Sequence, residues 1–206
     1  MVSIVIATRN PHKIRELSAL LRMPGIRWRS LADFPGLPPI PERGRSFSAN
    51  AIAKARTAAR LTGHLALADD SGLEVRALAG APGVRSARFA GRHGDDQANN
   101  AKLLRLLNGL PASRRHARFC CVLALASPAK LLAVTEGTWE GRIAAAPRGR
   151  RGFGYDPVFL IPGLGKTAAE LPIATKNRLS HRGQTAKAMR RILGRLQTQR
   201  ARSGAL

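Results

Sequence analysis

Apolar positions divide the chain into short runs separated by strong breakers. Val2 to Ala7 is rich in β-branched residues and predicts a buried strand. Thr8-Arg9-Asn10 breaks it. Pro11 suits a first helical position, and Ile14, Leu17, Leu20 and Leu21 recur at helical spacing. Pro24-Gly25 stops that helix, and Ile26 to Leu31 predicts a second strand. Phe34 to Arg45 carries prolines 35, 38, 39 and 41 and predicts a loop. Ser46 can cap a helix reaching Thr62, with Phe47, Ala51, Ala55 and Ala58 on one face and Gly63 at its end.

Leu65 to Ala68 predicts a buried strand running into Asp69-Asp70-Ser71-Gly72. Asp95 or Asp96 caps a helix that ends near Asn108-Gly109. Arg118 to Ala126 and Leu131 to Trp139 predict a strand pair joined at Ser127-Pro128. Gly149 to Gly154 predicts a loop, and Val158 to Ile161 a short strand. Ser180 can cap a last helix, with Ala186, Met189, Leu193 and Leu196 at core spacing. Strands alternate with helices around a central β-pair, which predicts an α/β class. The expected organisation is one domain over 1–197 with a polar, frayed tail over 198–206.

The longest clean apolar run, Phe119 to Ala126, is far short of the roughly 20 residues a membrane helix needs. The amino terminus has no basic region and too short an apolar stretch for a secretory signal. Cys120 and Cys121 are adjacent within an apolar run. Neighbouring cysteines rarely form an unstrained disulfide, so core filling in a reducing cytoplasm is the expectation. The 35 Lys+Arg against 12 Asp+Glu give a net charge of +23. Such a chain attracts polyanions. Nucleic acid or phosphorylated substrates are one reading; an Arg-rich solvated surface is the other. With acids so scarce, any cluster of them stands out.

Four stretches carry candidate chemistry. Thr8, Arg9, Asn10, Pro11, His12 and Lys13 lie between a strand and a helix start, where free N–H groups and the helix dipole suit an anion; an ordinary β–α turn is the alternative. Asp69-Asp70-Ser71-Gly72 lies at the carboxyl end of a strand, where open α/β sheets bind ligands. A carboxylate there could hold Mg²⁺, a hard cation that bridges to phosphates; a capped turn is the alternative. Successive strand residues point to opposite faces, so one of the two aspartates faces a given cleft unless the strand has already ended. Phe153-Gly154-Tyr155-Asp156-Pro157 could sandwich a base between two aromatics, or be a tight turn with core aromatics. Lys176, His181 and Arg182 put positive charge at a helix start, against the dipole, which suits a ligand anion or is one more basic patch. Gly165-Lys166-Thr167 is not a P-loop, because Leu160 stands where the pattern needs glycine. Zinc-type Cys/His spacing and a Gly-x-Ser-x-Gly elbow are absent from the sequence.

Together these stretches resemble the inosine/xanthosine triphosphate pyrophosphatase family, enzymes that clear non-standard purine nucleotides. The matching words are Ala7-Thr8-Arg9-Asn10-Pro11-His12-Lys13-Ile14-Arg15-Glu16, Glu42-Arg43-Gly44-Arg45-Ser46-Phe47 with Asn50-Ala51 and Lys54-Ala55, and Ala68-Asp69-Asp70-Ser71-Gly72-Leu73. Gly80-Ala81-Pro82-Gly83-Val84, Ser86-Ala87-Arg88, Gly152 to Pro157 and Ser180 to Gln184 follow in order, so the resemblance spans about residues 2–195. It implies a long twisted mixed sheet flanked by helices, two lobes with a nucleotide cleft, and a homodimer. It also implies Mg²⁺-dependent hydrolysis of ITP, dITP or XTP to the monophosphate and pyrophosphate. Residue by residue, it places the triphosphate on Thr8 to Lys13, the metal on Glu42 and Asp70, proton acceptance on Asp70 and a substrate contact on Ser71. Phe153, Gly154, Tyr155, Asp156, Lys176, His181 and Arg182 become the base pocket, and Glu16, Asn50, Lys54 and Asp69 neighbours of the metal carboxylates. The chain departs from the family pattern at Arg9, Ala49 and Ala174-Thr175. Against this stands a basic nucleic-acid-binding module without catalysis. Dispersed charge and few aromatics limit that reading to non-specific attraction.

Overall fold

The computed structural model describes residues 1–202, with side chains through Gln199. Five principal helices flank a seven-stranded mixed sheet. The strands are β1 (Val2–Ile6), β2 (Ile26–Ser30), β3 (Leu65–Val75), β4 (His116–Ala126), β5 (Leu131–Ile143), β6 (Phe159–Ile161) and β7 (Lys166–Thr167). Their spatial order is β2-β1-β3-β4-β5-β6-β7. The helices are α1 (Pro11–Leu20), α2 (Phe47–Thr62), α3 (Asp96–Leu106), α4 (Ile173–Leu179) and α5 (His181–Arg202). The sheet pairs parallel where β1 meets β2 and β3, and antiparallel where β6 meets β5 and β7. No helix among the described residues is long and apolar enough to cross a membrane.

The chain clusters into two compact units. Unit 1 comprises 1–70, 122–137 and 182–206; unit 2 comprises 71–121 and 138–181. The divisions fall inside β3, β4 and β5 and between Ser180-His181 and Arg182. In unit 1, Ile4 to Ile6 of β1, Leu17 and Leu21, and the alanine face of α2 (Ala51, Ala55, Ala58, Ala59) are buried. Alanines let α2 approach closely without a volume penalty. In unit 2, Leu73, Val75, Leu103, Leu107, Trp139, Val158, Phe159 and Leu171 form one core. Phe159 sits between Phe119 (4.4 Å between ring centroids) and Trp139 (5.3 Å).

Three expectations change. The strand expected over Leu65 to Ala68 does not stop before the two aspartates: β3 runs on through Asp69 to Gly72 as far as Val75, so the alternative of a capped turn falls. Leu73 and Val75 are both fully buried and resume the strand's apolar side. Second, Lys166–Thr167 and Ile173–Leu179 form β7 and α4, where the sequence offers too few periodic residues to predict an element. Third, the polar stretch from 198 does not end the last helix, since α5 continues to Arg202; residues 203–206 of the expected tail lie outside the described residues.

Candidate active site

In unit 1 the topology decides where each charge points. The connections β1-α1-β2 and β2-α2-β3 both join parallel strands but travel in opposite directions across the sheet. Right-handed crossovers therefore place α1 and α2 on opposite faces. Asp69 and Asp70, consecutive in β3, point to opposite faces as well. Each finds a helix. Asp69, fully buried, pairs with Lys13 of α1 and, at 3.3 Å, with Arg182 Nε of α5. Arg182 also reaches Glu16 Oε2 at 2.8 Å. Asp70 Oδ1 accepts from Lys54 Nζ at 3.1 Å, and Asp70 Oδ2 from Asn50 Nδ2 at 3.1 Å, both from α2. Strand alternation thus gives two differently served carboxylates.

Lys54 is the hub of the Asp70 side. Its buried ammonium donates to Glu42 Oε1 at 2.8 Å, to the Asp69 carbonyl at 2.6 Å and to Asp70. Glu42 comes from the proline-rich loop, so Lys54 draws that loop onto α2. Asn50 helps from the other end, its Oδ1 accepting the Gly44 N–H at 2.7 Å. A Cβ on Gly44 would lie 2.6 Å from that oxygen, so only glycine allows the approach. This role for Gly44 leaves no trace in sequence periodicity.

The electrostatics separate the pair. Burial pushes the Asp69 carboxyl up, but Lys13 and Arg182 beside it reverse this and hold it well below the usual carboxylate range. Asp70 goes the other way. Burial raises it, Lys54 and Lys13 pull down, Glu42 pushes up, and the balance stays above the ordinary value. Burial lowers the Lys54 ammonium, yet Asp70 and Glu42 outweigh this and raise it. Asp69 is a fixed anion; Asp70 is a carboxylate with added basicity.

The start of α1 differs from expectation. Pro11 has no N–H, Asn10 Oδ1 accepts from His12 N (2.9 Å) and Lys13 N (3.2 Å), and the Asn10 carbonyl accepts from Ile14 N. The first-turn donors are thus consumed by the cap. An anion here meets side chains and the helix dipole, not bare amides. Thr8 Oγ1 accepts the Asn10 N–H at 3.2 Å. Exposed Arg9 donates to the Leu37 carbonyl at 3.0 Å, and His12 Nδ1 meets Arg15 at 3.0 Å.

In unit 2, the segment between β5 and β6 carries the second group. Asp156, buried, accepts through Oδ2 from Phe153 N (2.9 Å) and Lys176 Nζ (2.6 Å). The Lys176 ammonium lies 5.5 Å from the Phe153 ring centroid. Gly152, at φ +79°, faces the Asp156 carboxylate so closely that any Cβ would overlap it. Gly154 is held from both sides: its N–H donates to Asp96 Oδ2 at 2.6 Å and its carbonyl accepts from Asn100 Nδ2 at 2.9 Å. Asp95 caps α3, which leaves Asp96 for this task. The two adjacent aspartates conceal that division in the sequence.

The expected aromatic sandwich does not form from two rings. Tyr155 is core, with its hydroxyl donating to the Ser86 carbonyl at 2.9 Å, and burial pushes its pKa up. Phe153 alone stays half-buried. Ser71 is half-buried at the head of the unit 2 part of β3. Lys176 pairs with Asp156, His181 stacks on Phe119 at 4.7 Å, and Arg182 belongs to the Asp69 cluster of unit 1.

Known proteins of similar length resemble this chain over nearly all of it. The "dITP/XTP pyrophosphatase" of Desulforamulus reducens is 52% identical over 195 residues, covering 95% of this chain and 97% of that one. The protein of the same description from Geobacillus kaustophilus is 52% identical, covering 93% of each. Among solved structures, a HAM1 protein from Coxiella burnetii superposes with a TM-score of 0.86 at 44% identity, covering 95% of this chain and all of that one. A nucleoside-triphosphatase / dITP/XTP pyrophosphatase from Mycobacterium abscessus gives 0.75 at 48% identity, covering 91% and 98%. The family pattern described as "Ham1 family" matches residues 4–192, taking in every residue of both groups. This chain belongs to the Ham1 family.

Proposed function

We propose that this protein hydrolyses the α–β phosphoanhydride bond of 6-oxopurine nucleoside triphosphates, ITP, dITP and XTP, giving the monophosphate and pyrophosphate. Membership of the Ham1 family, with relatives named for that activity, supports the substrate class. The observation that carries the chemistry is Asp70, a buried carboxylate of raised basicity held by Lys54 and Asn50. A proton acceptor works best when its pKa lies near the working pH, and this environment moves Asp70 in that direction. Asp70 takes the proton of the water that attacks the α-phosphorus. Lys13 and Arg9, with Thr8, Asn10 and His12 around them, face the β- and γ-phosphates and stabilise the departing pyrophosphate.

Glu42 and Asp70 fit a divalent cation, proposed as Mg²⁺. Both carboxylates already converge on one positive charge, the Lys54 ammonium. Mg²⁺ is characteristically held by one or two carboxylates together with substrate phosphate oxygens. When bound, the ion supplies neutralisation of the phosphoryl oxygens. Lys54 and Asn50 hold the two carboxylates in place, and Asp69 and Glu16 orient Lys13 and Arg182. Ser71 contributes a substrate contact. The reading further takes 1–197 as one catalytic domain, a homodimer as the working form and the cytoplasm as its location.

Reaction type is tested by a single turnover of ITP in ¹⁸O-labelled water. IMP and pyrophosphate are expected, with the label in IMP. IDP with orthophosphate would mean cleavage of the terminal bond and would overturn the proposal.

Selectivity is assigned to the unit 2 group. A 6-oxopurine presents O6 and N7 as acceptors, whereas adenine presents its amino group at position 6. The Lys176 ammonium, fixed by Asp156 beside Phe153, suits an acceptor and opposes a donor. One such mismatch is worth about 1–3 kcal/mol, roughly 5- to 150-fold. Lys176→Met is therefore expected to cut the ITP-over-ATP ratio of kcat/KM within that range. An unchanged ratio, measured on variant that melts as a folded protein, would remove Lys176 from base recognition.

A further inference from the structure

The last 36 residues of the chain, from Leu171, contain nine Lys and Arg and no Asp or Glu. Most of these basic residues lie on α5. Ala186, Met189 and Leu193 bury the inner side of that helix, while Lys187, Arg190, Arg191 and Arg195 are exposed on the other. None of those four has an ion-pair partner among the described residues. Lys187, Arg191 and Arg195 recur every four residues, a step of about 6 Å along the axis, so they form a row on one face. Where the row meets Gly194 and Thr198 the surface opens into a hollow of about 540 Å³ lined by Arg191, Gly194, Arg195, Thr198 and Gln199. Like charges at this spacing repel along a helix. An external anion relieves that repulsion.

We propose that this face of α5 docks the phosphate backbone of double-stranded nucleic acid, as a site separate from nucleotide hydrolysis. The chemistry selects this partner. A second copy of the same face would set cation against cation. A membrane surface calls for apolar side chains flanking the basic row, and here the apolar side of α5 is already buried in unit 1. Single strands are held by stacking bases on aromatic rings, and α5 contains no Phe, Tyr or Trp. A duplex asks for neither. It presents regularly spaced phosphates, and its backbone is contacted by Arg and Lys together with hydroxyl and amide side chains such as Thr198 and Gln199. The row from Lys187 to Thr198 runs about 16 Å along the helix, longer than the roughly 12 Å width of a major groove, so it can reach phosphates on both sides.

The test is fluorescence anisotropy of a labelled 20-base-pair DNA duplex with the full-length protein across a salt series. Four phosphate contacts predict a log–log salt slope of about −3 to −4. The triple variant Lys187→Glu, Arg191→Glu, Arg195→Glu should bind about tenfold or more weakly at low salt, with a slope flattened by about 2 to 3. Its kcat on saturating ITP should match that of the parent, which reports an intact fold. A control triple, Arg92→Glu, Arg105→Glu, Arg114→Glu, removes the same charge from exposed positions in unit 2. It should keep the affinity within about threefold. Equal losses in the two triples would assign binding to net charge and overturn the proposal. Absence of duplex binding at low salt would also overturn it, as would capture by phosphatidylserine vesicles in place of the duplex.

Discussion

Asp70→Asn is expected to lower kcat for ITP about 10²-fold or more, within the 10²- to 10⁴-fold attributed to a positioned proton acceptor. The substitution keeps the shape and removes both the charge and the basicity. Its local cost is small but definite. The carboxylate accepts from Lys54 at one oxygen and Asn50 at the other, and an amide has one oxygen to offer, so one donor meets an NH₂. A thermal melt separates that cost from the catalytic loss. The pH profile gives an independent reading. The acceptor must be ionised, and burial with Glu42 nearby places its pKa above the ordinary carboxylate value near 3.9. A dication on Asp70 opposes that shift, so the acid limb of the parent's activity should move to lower pH as Mg²⁺ is raised, and it should vanish from the residual activity of Asp70→Asn. Undiminished turnover in the variant would remove Asp70 from the reaction.

The elements of unit 1 were legible because each carries its own local signal. Asn10 and Ser46 cap helices, Gly63 ends one in the left-handed region, and the alanine face of α2 is buried as its spacing predicts. The candidate site was legible as a set of words, not as geometry. Nothing in Asp69-Asp70-Ser71-Gly72 tells a strand from a turn. The outcome depends on Lys13, Lys54 and Arg182, between 15 and 113 residues away, which make it possible to bury two carboxylates. Tyr155 reads as a ring for a base until Ser86, 69 residues earlier, takes its hydroxyl. Arg182 reads, with Lys176 and His181, as a donor to the base, and its pairing with Asp69, 113 residues earlier, is invisible in its neighbours. Consecutive residues at a helix start diverge by about 100°, and Arg182 meets Asp69 while His181 stacks on Phe119. Long-range polar pairing was the missing information at each of these positions.

Asp69→Asn is expected to destabilise the fold by about 3 kcal/mol, because removing one member of a buried charge cluster strands the others. Lys13 would lose the carboxylate it pairs with, and Arg182 would lose one of its carboxylates while keeping Glu16. That places the effect at the lower end of the roughly 3–5 kcal/mol range. For a chain of this size it amounts to roughly 6–12 °C in Tm. The pH dependence carries a definite sign. In the folded protein Lys13 and Arg182 overcome burial and hold the Asp69 carboxyl well below its unfolded value. The stabilisation is thus fully present above the unfolded pKa, near 3.9, and is lost progressively as pH falls below it toward the folded value. The gap in Tm between parent and Asp69→Asn should be widest near neutrality and begin to close below about pH 4. Paired melts at neutral and acid pH measure it. A gap that stayed constant, or widened on acidification, would mean that the Asp69 charge does not hold Lys13 and Arg182 in the folded protein.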